Sequence, residues 1–175
     1  MTEDAKTRLD TVADHNAEVG LLCTQWAYLE WMLEIAIWWF RDLLDKSDYE
    51  RMTETSGKPV SVLAREAGNI AHQKLTSASE LNAIKDVVSR IEESIDERNL
   101  AVHGVRSLLP DETVLARVTR GKYRGTLQRL PLIRLRSLNA EVGRIIAVIE
   151  PLLHAHGVIE GITEVSRRYS SPEQA

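Results

Sequence analysis

One stretch of the chain gathers side chains able to act together on a phosphate: Glu97-Arg98-Asn99-Leu100-Ala101-Val102-His103-Gly104. Upstream, Leu81, Ile84, Val88, Ile91 and Ile95 step by three and four, and the next step falls on Arg98, where a leucine is expected. A guanidinium on that face needs an anionic or hydrogen-bonding partner. Asn99 and His103 are four apart and therefore share a helix face. His103 also falls in the last turn, where the helix dipole favours positive charge. A fixed cation, an orienting amide and an imidazole are the components of a phosphate-handling site. The plainer reading has Arg98 reaching solvent along its own stem and His103 capping the last carbonyls.

The helix that carries this string starts at a Ser77–Glu80 capping-box spacing, runs to about residue 102 and is ended by Gly104. A first helix is predicted over about residues 7–45. Its stripe is Val19, Leu22, Trp26, Leu29, Leu33, Ile37, Phe40 and Leu44, with Tyr28, Trp31, Ile35, Trp38 and Trp39 on much of the other side. A helix apolar nearly all round is buried on more than one side, which fits a central helix or a dimer interface. Residues 46–58 read as a polar loop. Pro59 opens a second helix over about 60–75, and a last helix is predicted over about 137–156, loosened in its final turn by Pro151. Residues 113–130 alternate and break at Arg120-Gly121-Lys122, the pattern of a β-hairpin. The expected architecture is all-α: an antiparallel bundle of four to five helices in one domain, residues 1–175, with a hairpin insertion and frayed ends.

Composition narrows the chemistry. The 175 residues are 43% hydrophobic and 27% charged, enough for a core without disulfides. The single cysteine, Cys23, excludes an internal disulfide and a thiolate zinc site, and it reads as a core filler. The polar, acidic start carries no signal-peptide pattern, so a reducing cytoplasm is the expected location. Residues 20–40 are long enough to span a bilayer, but Glu30 and Glu34 sit near the centre and would each cost about 2.5–3.5 kcal/mol there. The segment is therefore read as a buried helix, with no membrane partner.

The net charge of −4 conceals an asymmetry: residues 105–136 hold eight basic and two acidic side chains, +6, which leaves −10 for the rest. Arg117, Arg120, Lys122 and Arg124 in the hairpin could guide a polyanion, or they could pair with acidic helices or a protein partner. Glu30 either faces a solvent strip or pairs with Arg98 and fixes it. His154 and His156 are two apart and cannot chelate one metal from a helix, and His15 and His72 read as surface residues. No glycine-rich phosphate loop or nucleophile elbow is present. Neither a metal nor a cofactor is expected.

The string RNLAVHG, late in a long helix of an all-helical chain, resembles the HEPN superfamily (higher eukaryotes and prokaryotes nucleotide-binding). The hallmark there is an arginine, four to six residues, then a histidine, often with Asn, Asp or His directly after the arginine. Arg98, the residues 99–102 and His103 match the short form, and the resemblance covers about residues 8–157. Leu29-Glu30 in an aromatic-rich first helix is similar to the bacterial branches. The resemblance implies a metal-independent endoribonuclease in a toxin, phage-defence or stress-response setting. His103 would be general base or acid, Arg98 would stabilise the charged transition state, and Asn99 would orient the histidine or the phosphate. It also implies an RNA substrate, a homodimer, here through the first helix, and room for an antitoxin or other protein partner. The family also has members without nuclease activity, so a non-catalytic interaction or nucleotide-binding module stands as the alternative.

Overall fold

A computed structural model describes the backbone of residues 3–106, 113–119, 122–128 and 130–163, and the side chains of 12–104 and 130–163. Helices carry the fold, a helical bundle of the all-α class. The first, α1 (Glu3–Phe40), stops five residues short of the predicted end. Its terminator is a Schellman motif: Leu43 N–H bonds Trp38 O and Asp42 N–H bonds Trp39 O, with Asp42 left-handed at φ 58°. An aspartate tolerates that conformation better than most residues, and Lys74 pairs with its carboxylate.

Residues 46–58, expected as a loop, contain a helix, α2 (Asp48–Thr55). Ser47 caps it: its hydroxyl accepts from Glu50 N–H while the Glu50 carboxylate accepts from Ser47 N–H. α3 (Val60–Ile70) follows Pro59 and closes in a 3₁₀ turn at Ala71–Gln73. α4 (Ala78–His103) bears the candidate motif, and Gly104 N–H bonds Leu100 O as the helix ends. At its start Ser77 Oγ meets Ser79 Oγ, while Glu80 accepts from the His156 ring at 2.9 Å. Three short strands then pair antiparallel in chain order: β1 (Val105–Arg106), β2 (Thr113–Thr119) and β3 (Lys122–Gln128). Last comes α5 (Leu132–Ala155), which starts earlier than predicted because the Pro131 carbonyl accepts from Arg134 and Leu135 N–H. It runs through Pro151, and residues 158–163 are helical again.

The chain groups into two compact units. In the first, Met1–Ala27 with Glu93–Gly143, the buried apolar residues are Leu22, Trp26, Leu100, Ala101, Leu130, Leu135, Leu138 and Val142. His15 belongs here too. Only 6% exposed, it is a core residue rather than a surface one, with Nε2 3.0 Å from Leu130 O. Cys23 corrects the opposite expectation, because it is exposed.

The second unit joins Tyr28–Glu92 with Arg144–Ala175. Met32, Leu33, Ile35, Ala36, Ile37 and Trp38 are all buried, so this part of α1 is enclosed all round. α3 and α4 meet closely at Gly68, where an added Cβ would stand 3.0 Å from Val88 Cγ2. Among the described residues, no helix is long and apolar enough to cross a membrane.

Candidate functional site

The end of α4 brings Arg98, Asn99 and His103 together in the first unit. Arg98 leaves the apolar stripe by laying its guanidinium over the Trp26 ring of α1, 5.4 Å from the centroid. Such a cation–π contact contributes about 0.5–2 kcal/mol, more as water is excluded. Trp26 is itself buried, so the guanidinium rests on a ring that belongs to the core of this unit.

From that position Arg98 Nη1 donates to Asn99 Oδ1 at 3.1 Å and reaches His103 Nε2 at 3.4 Å. Arginine has no acceptor, so at that contact Nε2 presents its lone pair and the imidazole carries its proton on Nδ1. His103 is exposed, while Arg98 and Asn99 are half-buried. Arg98 Nε is buried and has no acceptor among the described residues. A phosphate drawn to this cluster could take over the Nη1 hydrogen bonds and release Nε2 to act as a base. A cation, an amide and a free ring nitrogen are then within about one and a half helical turns.

The neighbouring acids are occupied elsewhere. Glu97 accepts from Arg134 Nε at 2.9 Å and Nη2 at 2.6 Å. Glu18 accepts from Arg136 Nε at 2.9 Å and from the buried Asn139 Nδ2 at 2.7 Å. The hydrogen bond from Arg136, then that from Asn139, holds the Glu18 carboxyl below the usual range. Two of the basic residues of the 105–136 stretch, Arg134 and Arg136, thus pair with acids of the helices.

Glu30 lies in the second unit, half-buried, where its charge acts on Glu34 one turn along α1. Burial chiefly pushes the Glu34 carboxyl up; the Thr55 hydroxyl opposes the rise without forming a hydrogen bond of full geometry, and Glu30 adds to it. Of the basic residues expected to guide RNA, Arg117 and Arg124 stand opposite one another in the β2–β3 register, and Lys122 stands opposite Thr119. Their side chains, and Arg120 altogether, lie outside the described residues. Among the described residues, no group of three or more His, Cys, Asp or Glu could hold a metal ion.

No family model, curated protein or solved structure matches this chain. Its site must be judged on its own chemistry.

Sequence reasoning passed over one polar cluster entirely. Arg51 on α2 is 2% exposed, donates through Nη1 to Leu44 O at 2.8 Å, pairs through Nη2 with Asp48, and lies 5.5 Å from the Trp38 ring centroid. The available signal was Ser47 and Glu50, spaced as a capping box, which would have placed Arg51 on a helix.

Proposed function

We propose that this chain is a metal-independent endoribonuclease with an HEPN-like bundle, acting through Arg98, Asn99 and His103. The observation that carries the reading is Arg98 Nη1 set between Asn99 Oδ1 and His103 Nε2 beside an exposed imidazole. His103 Nε2 takes the proton of a ribose 2′-hydroxyl as that oxygen attacks the adjacent phosphorus. The bond to the 5′-oxygen breaks, giving a 2′,3′-cyclic phosphate, and the leaving oxygen takes a proton to become a 5′-hydroxyl. Arg98 donors meet the non-bridging oxygens as their charge grows, and Asn99 keeps the guanidinium and ring in register.

Two further features support an RNA partner and a homodimer. The β2–β3 pair lies in the 105–136 stretch, whose eight basic and two acidic residues make a local positive charge that a phosphate backbone would neutralise. On α1, Tyr28 and Trp31 stack at 5.6 Å between centroids and are exposed, an apolar surface suited to a second copy. Two copies would supply two imidazoles for the two proton transfers. A toxin, defence or stress role, with an antitoxin or other protein partner, is the setting such an activity fits.

The second reading, a non-catalytic interaction or nucleotide-binding module, draws on the same hydrogen bonds: Arg98 Nη1 is already engaged by its own helix end. Substrates with a single 2′-deoxy nucleotide separate the two. Cleavage that stops at the deoxy position and continues at its neighbours supports the nuclease. Indifference to the missing hydroxyl overturns the mechanism, and binding of RNA without any cleavage favours the module.

A further inference from the structure

Arg98 is half-buried, yet both of its hydrogen-bond partners among the described residues are neutral: Asn99 Oδ1 at 3.1 Å and His103 Nε2 at 3.4 Å. No carboxylate among those residues pairs with it. Glu97, its neighbour in sequence, is taken by Arg134, and Glu18, in the same unit, is taken by Arg136. The Trp26 ring, 5.4 Å from Cζ, offers the cation a π face but no counter-charge. A cation drawn part-way out of water without a counter-ion favours an anion beside it.

The route such an anion takes follows from what is buried and what is engaged. Nε of Arg98 is buried, so a planar oxyanion meets the fork end-on, through Nη1 and Nη2. Nη1 carries two hydrogens, and Asn99 and His103 take both. One of the two contacts must therefore give way. The contact to His103 is the longer and is open to solvent, whereas that to Asn99 is partly buried. A phosphate oxygen accepts from a guanidinium at about 2.7–2.9 Å, in a bond roughly twice as strong as one to a neutral acceptor. The imidazole loses that competition.

We propose that the Arg98–His103 contact is a latch opened by a phosphate group, which takes Nη1 and Nη2 of Arg98 and releases Nε2 of His103. Until a phosphate arrives, the lone pair of Nε2 is engaged by the arginine and the ring is held in its Nδ1–H form. The base becomes available only where there is a phosphate for it to act beside. This rests on the reading of the site as a phosphate-handling one and adds its regulation: Arg98 gates His103.

The test needs no RNA, so its failure is distinct from a failure to cleave. The full chain is titrated with inorganic phosphate at about pH 8.5, where a histidine is ordinarily neutral, with sodium chloride at matched ionic strength as the control. The five histidines are followed through their ring ¹⁵N signals, and His103→Gln identifies those of His103. Without phosphate, His103 is expected to carry its proton on Nδ1 and none on Nε2. Phosphate, unlike chloride, should move both signals to a saturating end point and raise the share of the Nε2–H form. Arg98→Gln should show the mixed forms from the start and bind phosphate about ten-fold or more weakly. Asn99→Asp sets a carboxylate beside Arg98 and should weaken phosphate by a similar factor, which decides the matter if Arg98→Gln does not fold. A His103 ring protonated on Nε2 in the phosphate-free protein overturns the latch. So do signals that phosphate leaves unmoved, or undiminished phosphate binding by the variants.

Discussion

Arg98 points Nη1 at Nε2 of His103 across 3.4 Å, and it does so from a seat above the Trp26 ring. That geometry joins a residue of the apolar stripe to one at the helix end. It explains how a charged side chain is tolerated at a leucine position: the aromatic face takes the cation and the two polar neighbours take its donor.

Replacing Arg98 by lysine keeps the charge and loses the planar fork. An ammonium over Trp26 cannot serve Asn99 and His103 in the same geometry. The expected outcome for Arg98→Lys is a fall in kcat/KM for RNA of about 10²-fold or more, with the thermal midpoint little changed. Unaltered cleavage would remove Arg98 from the mechanism.

His15 is a fastening rather than a surface group. Its Nε2 meets the carbonyl of buried Leu130 at 3.0 Å, so His15→Ala strands that acceptor. Destabilisation of about 1–3 kcal/mol is expected in urea unfolding. A loss within measurement error would show that water replaces the ring without cost.

How much of this was legible beforehand depends on the kind of signal. Long helices with period-matched apolar residues, such as α1 and α4, were readable because burial on one face imposes that period. Ends were not: α1 stops at a left-handed Asp42, and α5 begins at the Pro131 carbonyl, both backbone events with weak side-chain signatures. α2 was missed because its residues are mostly polar and carry no apolar period, although the Ser47–Glu50 spacing marks its start. In the candidate site, the Arg98–His103 juxtaposition could be argued from spacing, whereas the Trp26 seat required the packing of α1 on α4. The burial of His15 and exposure of Cys23 ran against residue type, since neither has a local pattern that fixes its side.

The cap on α2 gives its own prediction. Ser47→Ala removes the hydroxyl that accepts Glu50 N–H and is expected to cost about 1 kcal/mol, while Ser47→Gly costs only a few tenths. Chemical denaturation of the two variants checks the order. Equal losses would mean that the serine hydroxyl is not what holds the helix start.

Stability should also depend on pH through Glu34. Burial raises its carboxyl above the ordinary glutamate range, so the folded state holds the proton more tightly than the unfolded chain. The penalty is absent below the ordinary value, grows as pH rises through the interval up to the folded value, and is complete above it. Glu34→Gln is therefore expected to be more stable than wild type at neutral pH, with the difference shrinking as pH falls through that interval. A denaturation midpoint that is the same in both proteins at every pH would contradict this.

The central claim is that His103 performs proton transfer on RNA. Its most direct test is cleavage of a mixed RNA substrate in EDTA by wild type and by His103→Ala, with analysis of the ends produced. The variant should fold normally, because the imidazole is exposed at a helix end. The account predicts cleavage by wild type alone, leaving 2′,3′-cyclic phosphate and 5′-hydroxyl ends. Equal cleavage by both proteins, or none from a folded wild type across diverse RNAs, would contradict it.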